Sequence, residues 1–221
     1  MQPAFLKGHT ISLRVPVADD VLVRGWSDWY NNQDTTRHNR HGLFPVSKEQ
    51  EWEIVKNEMQ KSDSLLLAIY ENESDRLIGN ISLLEIDLVH RNTRLAVTIG
   101  EKSTPTAVVE AFGLLTDHAF RKLKLNRVFD ATHENLINLI KMLGIFGYDV
   151  EGLGREHFLK NDIVNDLIYF GTTKREFMEQ LNSRDGKLLF ENKGELLGAV
   201  RKELRKNPEN KWLSLKKDLK Q

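Results

Sequence analysis

No cysteine occurs among the 221 residues, which removes disulfides, thiolate nucleophiles and cysteine-ligated zinc or iron–sulfur centres from consideration. No stretch approaches the roughly 18 consecutive apolar residues of a membrane-spanning helix. Met1–Lys7 also lacks the charged-then-apolar order of a signal peptide. The expected compartment is therefore a reducing cytoplasm. Net charge is missing too: 32 Lys and Arg balance 32 Asp and Glu, so the whole chain shows no polyanion signature and no nucleic-acid partner is expected. A Walker loop, a dinucleotide-binding glycine fingerprint and a Ser-His-Asp pattern are all lacking. Basic residues are not interleaved with aromatics as a single-strand groove requires.

What is present reads as an ordinary globular chain, with 40% apolar and 29% charged residues. The length suits one domain, residues 1–180, and a tail, residues 181–221. From Ser183 to Gln221 there are 11 Lys and Arg against 6 Asp and Glu, so the tail carries +5 and the first 182 residues −5. Its helical periodicity (Leu196, Leu197, Val200, Leu204) breaks at Asn207–Pro208 and resumes in Trp212, Leu213, Leu215 and Leu219. We read the charge as a solvated helical face. The apolar positions are expected to dock on the core or on a second copy of the chain, which would make a homodimer.

Along the first 180 residues, Thr10–Arg14 alternates like a strand and is ended by Pro16. A helix capped by Asp19 or Asp20 is predicted through Tyr30. Ser47 with Gln50 forms a capping box for a helix to about Lys61. Between them Asn31–Val46 reads as a long polar loop, of the kind that more often serves function than not. Leu65–Tyr70, Leu77–Ile86 and Arg94–Ile99, joined by short polar turns, predict an antiparallel meander. The period then becomes helical over Val108–Leu123. A strand (Asn126–Thr132), a helix (Asn135–Phe146, stopped at Gly147), two strands (Glu156–Leu159 and Asp166–Thr172) and a helix from Arg175 complete the pattern. The fold class is mixed α/β.

Several segments taken in order resemble one family. Arg76–Leu83 (RLIGNISL), Ile86–Asn92 (IDLVHRN) and Leu95–Lys102 (LAVTIGEK) resemble the central sheet of GNAT N-acetyltransferases. Leu125–Val128, Gly147–Gly152 and Arg155–His157, followed by Asp166 and Gly171, fit the same family. The branch looks like the one holding ribosomal-protein, polyamine and amino-sugar acetyltransferases. The resemblance spans Gly8–Gln180, leaves the tail outside, and implies a mostly antiparallel central sheet with one splayed parallel pair, flanked by helices. It further implies acetyl-CoA as co-substrate, its pantetheine arm pairing with Thr98, Ile99 and Gly100 and contacting Asn135. Its pyrophosphate would lie over the next helix N-terminus, at Thr104, Thr106, Ala107, Val108 and Val109. The family's R/Q-x-x-G-x-G/A loop is replaced here by Ser103–Val108, which is about two residues shorter, has no glycine and includes Pro105. Thr104 and Thr106 hydroxyls are the substitutes this sequence offers.

Amine acetylation needs a neutral attacking nitrogen, hence a proton acceptor. Glu85, Asp87 and His90 are the candidates, Glu85 first because it interrupts an apolar strand, where a carboxyl is pushed toward working pH. No tyrosine stands where relatives place the general acid. Asn32, Thr35, Arg37, His38 and Arg40 are the candidate acceptor lining, suited to an acceptor bearing phosphate or carboxylate. His38 and His41 lack carboxylate neighbours and a supporting helix, so no metal is expected. The expected activity is acetylation of a primary amine, an amino sugar or nucleotide-linked amino sugar first, a polyamine or protein N-terminus behind it. A module of the same fold that has lost tight CoA binding is the reading from a different class.

Overall fold

The structure, a computed structural model, describes residues 2–39 and 41–205. Arg40 and the expected amphipathic segment at Trp212–Leu219 lie outside the described residues. The chain packs as two compact units, Met1–Leu125 and Asn126–Gln221. Both mix helices with mostly antiparallel strands, as the pattern of periods predicts.

In the first unit, β1 (Leu6–Lys7), β2 (Ile11–Arg14), β3 (Leu65–Glu71), β4 (Arg76–Asp87) and β5 (Asn92–Ile99) pair consecutively, each antiparallel to the next. The side-chain period of two divides β3 between its faces. Leu66, Ala68 and Tyr70 join an aromatic cluster formed with helices, and Leu67 and Ile69 point the other way, fully buried. The helices on the aromatic face are α1 (Ala18–Leu22), α2 (Trp26–Asn31) and α4 (Lys48–Gln60), with the short α3 (Gln33–Thr36) packed on α2. The single helix expected up to Tyr30 is two, because Gly25 takes φ +94°, a conformation that stops a helix and that glycine adopts without penalty. The expected loop contains α3, whose amides at Asp34 and Thr35 are capped by the Asn32 side chain. The predicted capping box at Ser47 is present in both directions.

The unit closes with α5 (Pro105–Arg121), which buries Val109, Phe112, Leu115, Ala119 and Phe120 and packs against β1, β2 and β4. Its Glu110 carboxylate ties down the chain entering β2. It accepts from the amides of His9 (2.6 Å), Thr10 (2.8 Å) and Ile11 (3.2 Å) and from the Thr10 hydroxyl (2.5 Å).

In the second unit β8 (Ile163–Thr173) lies between β6 (Arg127–His133) and β7 (Asp149–Lys160), antiparallel to both. The helices are α6 (Ile137–Leu143), α7 (Lys174–Asn182) and α8 (Lys193–Arg205). The first apolar stripe of the tail docks within this unit: α8 packs on α6, with Leu196 and Val200 buried.

Replacing Glu110 by alanine should leave three backbone amides and a hydroxyl without their acceptor. Several charge-assisted bonds are lost at a buried position, and the expected cost is about 2–4 kcal/mol in chemical denaturation.

Candidate active site

The helical layer over β5 is organised by two helical stripes. In α2, Trp26, Trp29 and Tyr30 stand at i, i+3 and i+4 and so share a face. In α4 the buried stripe runs Glu51, Val55, Met59, with Trp52 beside it. The rings of Trp26 and Trp29 stack at 5.9 Å and 18°. Trp29 lies directly on Gly100: a Cβ there would stand 1.9 Å from a ring carbon. Its indole nitrogen donates to Glu101 Oε1 at 3.1 Å. Tyr30 brings the layer down to the strands, its hydroxyl bound to Asn80 Nδ2 (3.1 Å) and to the Thr98 side chain. Burial pushes this phenol above its usual range, partly opposed by those two hydrogen bonds.

Glu51 is the unexpected member. It is only 6% exposed, and its Oε1 accepts from the Trp26 indole at 3.0 Å. Burial pushes the carboxyl up to about 7, with the Trp26 bond working against the rise. The signal for it lies in the helical period: Glu51 falls four residues before Val55, on the stripe that faces the core.

The expected cofactor segment is continuous in space. Thr98 and Ile99 close β5, Gly100 follows under Trp29, and α5 begins at Pro105 with Thr104 as its N-cap. The roles within it shift. Thr106 is fully buried and its hydroxyl meets that of Thr104 at 2.8 Å, so Thr104 is the hydroxyl left near the surface. Ala107 and Val109 are buried side chains, and Val108 is half-buried. The Ala107 amide is engaged by the Thr104 carbonyl at 3.0 Å, and Pro105 has no N–H. Thr104 makes no side-chain cap, so no side chain occupies the first-turn amides at the positive end of this 17-residue helix. The donor set fits a phosphate-bearing group, with fewer donors than a glycine loop would present. Asn135 belongs to the second unit, exposed on a single 3-10 turn. The cap there is His133, whose Nδ1 accepts from the Asn135 amide at 3.1 Å.

The apolar surroundings expected for Glu85 are not found. Its side chain is 69% exposed and pairs with Arg94 Nη1 at 3.2 Å. The cause is a bulge between Leu84 and Asp87, where Glu85 takes φ +52° and turns out of the strand's alternation. Asp87 serves the hairpin turn: its carboxylate accepts from the amides of Val89 and His90 and meets the His90 ring at 2.6 Å. Those bonds, led by the His90 amide, hold it below the usual carboxylate range. His90 is exposed. Of the acceptor candidates, Asn32 caps α3, Thr35 is half-buried within it, Arg37 is exposed at its C-terminus and His38 is half-buried beyond it.

A carboxyl held above its unfolded value binds its proton more tightly when folded, so its contribution is complete in acid and is lost as pH rises through about 7. Glu51→Gln removes that dependence. Relative to the parent, the variant should gain up to about 3 kcal/mol of stability between pH 4.5 and 8, as read from denaturation midpoints at the two pH values. Gly100→Ala should destabilise at every pH, because the Trp29 ring has no room to yield.

Comparison with known proteins agrees with this architecture. An N-acetyltransferase of Bacillus licheniformis, p20, is 25% identical over 161 residues, covering 72% of this chain and 88% of that one. Among solved structures, a GCN5-related N-acetyltransferase from Brucella melitensis superposes with a TM-score of 0.68 at 17% identity, over 91% of this chain and 95% of that one. The spermidine N-acetyltransferase of Vibrio cholerae, solved with CoA and spermine, superposes with a TM-score of 0.64 at 17% identity, covering 76% and 98%. The profile of the acetyltransferase (GNAT) domain matches residues 11–147, more than half of the chain, and the protein is therefore a member of the GNAT acetyltransferase family.

Proposed function

We propose that this chain transfers an acetyl group from acetyl-CoA to the primary amine of a small acceptor, an amino sugar or nucleotide-linked amino sugar first and a polyamine or protein N-terminus second. The observation that carries the reading is the position of Thr98. It lies in the strand segment that the family resemblance assigns to the pantetheine arm, and it binds Tyr30 of the aromatic layer. That hydrogen bond ties the strand expected to carry the acyl donor to the helical layer above it, which supports a meeting of the two substrates there. Acetyl-CoA supplies the activated acyl carbon as a thioester. Thr98, Ile99 and Gly100 would hold its arm, and Thr104 with the Thr106 amide its phosphates. Exposed Arg37 suits an acceptor that also bears phosphate. The likeness to a spermidine acetyltransferase supports the polyamine as the runner-up.

The reduced donor set at Pro105–Ala107 favours one other reading, a GNAT-fold binding module without tight CoA binding. Ligand titration separates the two. Acetyl-CoA at one hundred times its Kd should stabilise the enzyme by about 2.7 kcal/mol, a rise in Tm of roughly 5–10 °C for a chain of this size. A panel of amino sugars, nucleotide-linked amino sugars and polyamines should release free CoA thiol. No stabilisation at millimolar acetyl-CoA establishes the module instead.

A further inference from the structure

We propose that Glu51 is the group that meets the acceptor's ammonium and takes its proton, an assignment that rests on the acetyltransferase reading above and deepens it. A buried carboxylate without a cation is costly and persists where a cation comes to it. Glu51 fits that description: among the described residues it has no salt-bridge partner, and Oε1 has one donor, the Trp26 indole. Oε2 has no hydrogen-bond partner among the described residues, so it is left to accept a further donor. Trp26 bounds it directly, and Tyr30, on the same helix as Trp26, binds Thr98. Trp26 also stacks on Trp29, which covers Gly100, so two stacked indoles link the carboxylate to the end of the strand on which the acyl group is expected.

The charged and titratable groups on the elements packed against α4 leave this role open. Tyr30 on α2 is bound to Asn80 and Thr98, and Asp28 on the same helix is exposed. Asp20 of α1 accepts from the Tyr70 hydroxyl of β3 and lies 4.0 Å from Arg24. Arg24 in turn binds Asp19 at 2.7 Å. Those groups satisfy one another and bring no cation to Glu51. In the step proposed, one N–H bond of the ammonium breaks and an O–H bond forms on Glu51. The neutral nitrogen forms the C–N bond as the thioester C–S bond breaks, and the nitrogen's second proton ends on the departing sulfur.

The test compares the parent with Glu51→Gln, Glu85→Gln and Trp26→Phe, using acetyl-CoA and the amine panel, across pH 5–9. In Glu51→Gln the side-chain amide oxygen still accepts from the Trp26 indole, so folding is preserved while proton uptake is not. Glu51→Gln should lower kcat/KM for the amine by on the order of 10²–10⁴, abolish the acidic limb of the profile, and leave acetyl-CoA affinity unchanged. Trp26→Phe removes a bond that favours the charged carboxylate and should move that limb to higher pH. Intrinsic tryptophan fluorescence should titrate near the same pH in the parent and not in Glu51→Gln, whether or not substrate is present. Retained amine turnover and an unchanged limb in Glu51→Gln overturn the proposal while parental turnover upholds the acetyltransferase reading. Loss of the limb in Glu85→Gln instead of Glu51→Gln overturns it as well. A parent that releases no thiol with any amine overturns the activity reading itself, and the proton role with it.

Discussion

The contact on which the layering of the first unit depends is that between the Trp29 ring and Gly100. Strand β5 leaves the sheet at this point and the chain must turn into α5, so whatever covers Gly100 fixes where the turn can go. An indole lying within van der Waals contact of bare backbone allows one arrangement and excludes any side chain between the two. The same ring is stacked on Trp26 and anchored through its nitrogen to Glu101, so the helical layer cannot slide along the strand without breaking both. The turn between Gly100 and Thr104 thereby acquires order that its own sequence, Glu101-Lys102-Ser103, does not supply.

A second set of constraints comes from carboxylates used as backbone acceptors. Asp87 gathers the amides of the β4–β5 turn, Glu110 gathers those that precede β2, and Asp20 receives the Val17 amide and the Tyr70 hydroxyl. In each case a negative charge is spent on ordering irregular chain. Glu51 differs: its single donor is a side chain, and no irregular segment depends on it. That contrast sets Glu51 apart from the structural carboxylates.

Much of this is legible in the amino-acid sequence, and the division follows physical range. Local chemistry is read directly: Ser47 with Gln50 marks the start of α4, and the polar turns between apolar runs mark the meander β3–β5. The break at Gly25 escapes such a reading because a glycine within a helical pattern is ordinarily tolerated. The bulge at Glu85 is hidden for a different reason. Glutamate is a poor advertisement for a positive φ, and an interrupted apolar run looks the same whether the charge points into a site or out of the sheet. The Trp26–Glu51 and Tyr30–Thr98 pairings join residues 25 and 68 positions apart, and only packing brings them together. The α4 period, followed strictly, places Glu51 on the buried stripe, though not against an indole.

The anchoring of the N-terminal approach to β2 by Glu110 has a consequence for how this region tolerates change. Of the four donors that the carboxylate collects, three are main-chain amides, which every residue except proline carries. The anchor therefore reads spacing and is nearly blind to chemical identity at His9 and Ile11. Gly8 is the exception, since a Cβ there would stand 2.6 Å from the carboxylate carbon. Divergence in this segment should run freely through substitution and be blocked for insertion or deletion. A one-residue slip would present the carboxylate with a different set of amides and carry β2, with its alternating faces, out of register with β3.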